Sequence, residues 1–183
     1  MKSMITIVVS LVAISAGAFA QAPDEAAIDK ALMAAPGNLK TGATVIRWKP
    51  DFTYETLKKG TNRLVCYDKS GQPGQRAFSV ECTSMGNLDR AAQNMKFEAI
   101  SDKQASLAAF EAAEKDGTRV KPEFGSMWYH LQGPDAEHTR THMTIAVPGA
   151  TGQSLGLPEN NKQGGVWIMN AGTTTAHLMI PGE

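Results

Sequence analysis

Ser126-Met127-Trp128-Tyr129-His130-Leu131-Gln132 is followed, across Gly133-Pro134-Asp135-Ala136-Glu137, by His138-Thr139-Arg140-Thr141-His142-Met143-Thr144-Ile145-Ala146-Val147. Alternation on both sides of the Gly-Pro predicts two β-strands. In the first, Met127, Tyr129 and Leu131 share one side and Trp128, His130 and Gln132 the other. In the second, Met143, Ile145 and Val147 share one side with Thr139 and Thr141, and His138, Arg140, His142 and Thr144 the other. Both apolar sets fall on odd positions. A one-residue slip would send one set to the opposite face, so opposed residues must have the same parity. A register with Gln132 facing His138 leaves an ordinary hairpin loop over 133–137 and places His130 opposite Arg140. One polar face then gathers Trp128, His130, His138, Arg140 and His142.

That face supports two readings. Trp128, His130, Arg140 and His142 form a candidate surface for a small ligand or partner. His130, His138 and His142 form a candidate site for a divalent transition metal, the only cofactor this composition suggests. Against the metal, His138 and His142 stand roughly 13 Å apart along a flat strand, and Arg140 beside them repels a cation. The threonines at 139, 141 and 144 favour strand over helix, and only a helix would bring 138 and 142 one turn apart.

A second hairpin spans 62–83, with Ser70-Gly71-Gln72-Pro73-Gly74-Gln75-Arg76 as its turn. Each arm carries one of the two cysteines. Cys66 opposite Cys82 is compatible with a cross-strand disulfide, and an exported chain favours the bond.

Export is read from the N-terminus. Residues 1–20 have the pattern of a signal peptide: Lys2, an apolar run over Met4–Ile14, and Ala18-Phe19-Ala20 before Gln21. The run is short for a membrane anchor. The expectation is a secreted or periplasmic protein with no stable membrane anchor after cleavage and a single exported domain over 21–183. The charges balance, 18 basic against 18 acidic residues, with no basic block. Nucleic acid is therefore not an expected partner.

The other elements follow in order. Asp24–Ala35 reads as a helix, Thr44–Trp48 as a strand and Phe52–Leu57 as a short strand. The segment 87–116 reads as two helices. Asn87 is expected to cap the first and Ser101, in a capping box with Gln104, the second. Leu107 and Phe110 anchor the second helix, and Gly117 ends it. Residues 148–165 read as a surface loop, or as a binding loop if they lie beside the histidine face. Val166–Asn170 and Ala176–Ile180 close the chain as strands, the first apolar on both faces and so expected inside the sheet. His177 joins the histidine face only if the last strand neighbours the 127–147 hairpin.

Helices grouped rather than interleaved with strands define an α+β fold. The expected form is a mainly antiparallel sheet of five to seven strands, with 87–116 covering one face. No nucleophile elbow, P-loop, dinucleotide fingerprint or zinc-protease motif is present. Catalytic residues are not assigned. The sequence supports an exported small-ligand or partner-binding domain first, and a metal-dependent protein using His130, His138 and His142 second.

Overall fold

The structure, a computed structural model, describes residues 22–180. The signal-peptide reading of residues 1–20 lies outside them. Among the described residues no helix is long and apolar enough to cross a membrane.

The helices are α1 (Ala22–Ala31), α2 (Gly37–Lys40), α3 (Leu88–Glu98), α4 (Lys103–Lys115) and α5 (Gly152–Leu155). The strands are β1 (Thr44–Trp48), β2 (Tyr54–Lys58), β3 (Leu64–Asp68), β4 (Phe78–Ser84), β5 (Met127–Gly133), β6 (Arg140–Ala146), β7 (Trp167–Met169) and β8 (His177–Met179). All eight strands join one sheet in the order β2-β1-β3-β4-β5-β6-β8-β7. Among the described residues only β1 and β3 run parallel. The fold is α+β and mostly antiparallel. The sheet exceeds the expected five to seven strands because every segment with strand character pairs into it.

Each face of the sheet has its own cover. Leu88, Ala91 and Met95 recur at intervals of three and four along α3, which makes one apolar stripe. That stripe buries against Ile46, Trp48, Val65, Tyr67, Trp128 and Ala146. The opposite face carries Val45, Leu64, Cys66 and Cys82 beneath Ala31 and Leu32, at the end of α1 and in the 3-10 turn Leu32–Ala34 that follows it. The expected helical cover is thus α3. α4 leans on α3 rather than on the sheet, through an edge-on contact of Phe97 and Phe110 at 5.0 Å. Leu107 is 48% exposed and does not anchor α4; Ala113 is the buried residue of that helix.

Two caps differ from expectation. Asp102, not Ser101, caps α4, its carboxylate accepting the Ala105 N–H at 2.7 Å. Asn87 makes no cap bond. It is fully buried, donates to Thr83 Oγ1 and Ser126 Oγ, and accepts the Glu123 N–H. A carboxylate accepts a stronger bond than a hydroxyl at a helix start, and a buried amide must satisfy its own groups first.

Cys66 faces Cys82 in the β3–β4 ladder and the two are disulfide-bonded, with Cα atoms 4.1 Å apart. The β5–β6 ladder keeps the expected parity but shifts register by two. Gln132 faces Arg140, and His130 faces His142 rather than Arg140. The longer loop this creates is organised by Asp135, whose carboxylate accepts the N–H groups of Glu137 and His138. β7 is an edge strand, not an interior one. Its Ile168 is buried while Met169 is 41% exposed, so its second apolar face remains partly open.

Candidate functional site

The ladders fix which side chains share a face. His177 pairs with Ala146, Thr144 lies two residues back from Ala146, Trp128 faces Thr144, His130 faces His142, and Glu81 faces His130. All of these lie on the α3 side of the sheet. The apolar stripe of α3 packs on that face from β1 and β3 as far as Trp128 and Ala146. A cleft of about 270 Å³ remains between the helix and the sheet. Trp128, His130, His142, Thr144 and His177 line it from the sheet, and Arg90, Asn94 and Glu98 from α3.

Its floor is a buried charged network. Glu81 is 3% exposed and Lys69 6%. The Glu81 carboxylate accepts the Tyr67 hydroxyl at 2.5 Å, with His130 Nδ1 at 3.1 Å and Lys69 Nζ at 3.6 Å beside it. Burial alone would push the Glu81 carboxyl up. Lys69 and His130, with the hydrogen bonds from His130 and Tyr67, outweigh that and hold it far below the usual carboxylate range. The same burial, with the Glu81 charge alongside, pushes the Tyr67 phenol well above its ordinary value. Burial opposes the charge on Lys69, but Glu81 and Glu98 together keep it raised. Lys69 reaches Glu98 at 3.3 Å, and Gln75 holds the same carboxylate at 2.8 Å.

This network sets the chemistry of His130. An ionised carboxylate can only accept, so its contact with His130 favours the proton on Nδ1. His177 is fixed in the same way: its Nδ1 lies 2.7 Å from the Thr175 carbonyl oxygen, which also only accepts. His142 stands at the mouth, its ring centroid 5.8 Å from that of His130. Burial lowers the His142 pKa, and the neighbouring His130 and His177 lower it further. The Trp128 indole lies nearly parallel to the His130 ring at 6.3 Å.

The structure therefore brings together Trp128, His130 and His142 among the residues singled out from the sequence, and adds His177. It does not bring in His138 or Arg140. His138 bonds Asp135 at 2.8 Å within its own loop. Arg140 and His138 line a wider depression of about 600 Å³ beside the cleft, with Arg76, Pro134 and His142. The side chains of Arg76, His138, Arg140 and His142 are exposed there. Among the described residues no group of three or more His, Cys, Asp or Glu side chains is arranged to hold a metal ion. The loop 148–165 contributes nothing to the cleft lining. Part of it is the short helix α5, capped by Thr151, and its Leu157 and Ala150 join a separate apolar cluster with Ile168 and Ala176.

Sequence reasoning missed Glu81, Lys69, Tyr67 and Arg90. One signal was present. A register that opposes Cys66 to Cys82 also opposes Tyr67 to Glu81, one step along. An acid and a phenol facing each other in a buried hairpin mark a polar network.

No protein-family model matches this chain, and neither the curated proteins nor the solved structures include a significant match to it.

Proposed function

We propose that this chain is an exported binding protein that holds a small ligand in the cleft between α3 and the β5–β6–β8 part of the sheet. The observation that carries the reading is His130, pinned by a buried, ionised Glu81 at the cleft floor. Burying charges costs several kcal/mol each, and an apolar floor would often serve stability as well. Such networks cluster where a side chain must be held in one orientation and protonation state. Export is supported by the signal-like residues 1–20 and by the Cys66–Cys82 disulfide, a bond typical of oxidising compartments.

The test is a fragment screen followed by heteronuclear NMR on the oxidised protein. Ligands of the cleft are expected to shift the imidazole resonances of His130 and His177 and the Trp128 indole N–H. His130→Ala should weaken them by about tenfold or more, the scale of one lost hydrogen bond in a partly closed site. Shifts confined to other surfaces, or binding that ignores His130→Ala, would count against the reading. Export is checked by mass analysis of the secreted chain, expected to begin at Gln21.

A further inference from the structure

The charged groups facing the cleft cancel. Lys69 and Arg90 supply two positive charges, and Glu81 and Glu98 two negative ones. Each of the four is already engaged within the protein. Glu81 is filled by Tyr67, Lys69 and His130. Glu98 accepts both Lys69 and Gln75 on Oε2. The Arg90 guanidinium donates to the Val120 carbonyl and to the hydroxyls of Thr174 and Thr175.

What the cleft offers instead is neutral. His130 and His177 hold their protons on Nδ1, on Glu81 and on the Thr175 carbonyl, so each keeps an acceptor lone pair on Nε2. Around them stand the amides of Gln132 and Asn94 and the hydroxyl of Thr144. An anion would meet those lone pairs and a buried carboxylate behind one of them. A cation would meet Lys69 and Arg90. A ligand whose hydroxyls donate to imidazole nitrogen and accept from amides meets neither penalty.

We infer that the cleft takes a small uncharged polyol, of the size of a monosaccharide, held by His130 and His177. This rests on the binding reading above and names its ligand class. At about 270 Å³ the cleft lies just under the usual range of about 300–1,000 Å³ for ligand pockets, which limits it to a ligand smaller than most.

The experiment compares ligands that differ mainly in charge. Sorbitol and D-glucose are neutral; gluconate carries a carboxylate and glucamine an ammonium on the same six-carbon skeleton. Each is titrated at neutral pH into the oxidised full chain, with the imidazole nitrogens of His130 and His177 observed by long-range proton–nitrogen NMR. Before any ligand is added, those spectra should show both rings protonated at Nδ1. A neutral polyol should shift both rings and bind at least about tenfold tighter than gluconate or glucamine, a gap of about 1.4 kcal/mol. His177→Ala should abolish that preference, and Arg140→Ala, which alters only the neighbouring depression, should keep it. Nε2–H tautomers in the free protein would overturn the proposal at its premise. Equal or tighter binding of gluconate or glucamine at the same rings would overturn it while leaving a ligand cleft standing. If neither the polyols nor any fragment moves His130 or His177, both readings fall together.

Discussion

Glu81 is the residue on which the site depends, and it makes two predictions. Replacing it by glutamine removes the charge that balances Lys69 and the acceptor that fixes His130. Removing one partner of a buried ion pair costs about 3–5 kcal/mol; Glu98 still serves Lys69, so about 3 kcal/mol is expected in denaturant titrations of Glu81→Gln. The His130 ring should at the same time lose its fixed Nδ1–H form, seen by NMR. The second prediction is the pH dependence. The carboxyl sits far below its ordinary value of 4.5 in the folded protein. The unfolded chain therefore takes up that proton first, and folding stability from this network is fully present above about 4.5 and drains away as pH falls below it. In Glu81→Gln the slope of stability against pH in the acid range should be shallower than in the parent; an unchanged slope would place the acid sensitivity elsewhere. His142 titrates separately. Its midpoint is expected below 6.5, and His130→Ala should raise it, since His130 is one of the groups that lower it. Parity alone made Trp128, His130 and His142 legible in the sequence, because a buried face fixes parity. Glu81 was not legible as a site residue, because its meeting with His130 depends on β4 pairing with β5 across more than forty intervening residues, and no local pattern carries that.

At the scale of elements, the two hairpins show what local pattern can and cannot fix. The 62–83 hairpin was readable in register because a covalent constraint and alternation agree on one pairing. The 127–147 hairpin was readable in face but not in register, since a shift of two residues preserves every inside and outside assignment. The observed register brings the backbone into close approach at the hairpin end. A side chain on Gly133 would run into the His138 carbonyl and the Thr139 backbone. Gly133→Ala should therefore destabilise the hairpin by about 1–3 kcal/mol, with amide exchange rising in β5 and β6 more than in β3. Reducing or removing the other hairpin's disulfide is expected to cost about 3 kcal/mol through the freed loop, on the chain-entropy view. A Cys66→Ala/Cys82→Ala variant measured in denaturant tests it, and an unaltered midpoint would mean that β3 and β4 are held by packing alone. The caps follow the same lesson: several oxygen-bearing residues compete near a helix start, and tertiary demands on Asn87 decide what the local signal leaves open.

At the scale of the molecule, apolar packing among the described residues falls into three clusters, two on opposite faces of the sheet and a third built from Val147, Ala150, Ile168 and Ala176. The grouping of helices made the fold class legible, but not the position of the third cluster, since β7 reads as an interior strand and lies at an edge. Polar bonds join that cluster to the helical layer. Arg90, on α3 and 4% exposed, donates to the hydroxyls of Thr174 and Thr175 in the β7–β8 connection. Glu114, on α4, accepts from the Thr174 N–H and hydroxyl at 2.6 Å each. Burial and the nearby Arg119 lower the Arg90 pKa to about 10, which still leaves it charged at neutral pH. Thr175 in turn fixes His177, so this clamp also shapes one wall of the cleft. Arg90→Met keeps much of the side-chain volume and removes every donor. It leaves the Val120 carbonyl without that partner, a cost of about 1–3 kcal/mol for an unsatisfied buried group. Hydrogen exchange is the appropriate measurement. Amides of β7, β8 and 171–176 should lose protection while those of β3 and β4 keep theirs, because distinct packing units open separately. The His177 imidazole should broaden or shift in the same variant, with His130 unchanged on Glu81. Uniform loss of protection across the sheet would instead mean that the three clusters unfold as one unit and that Arg90 serves global stability.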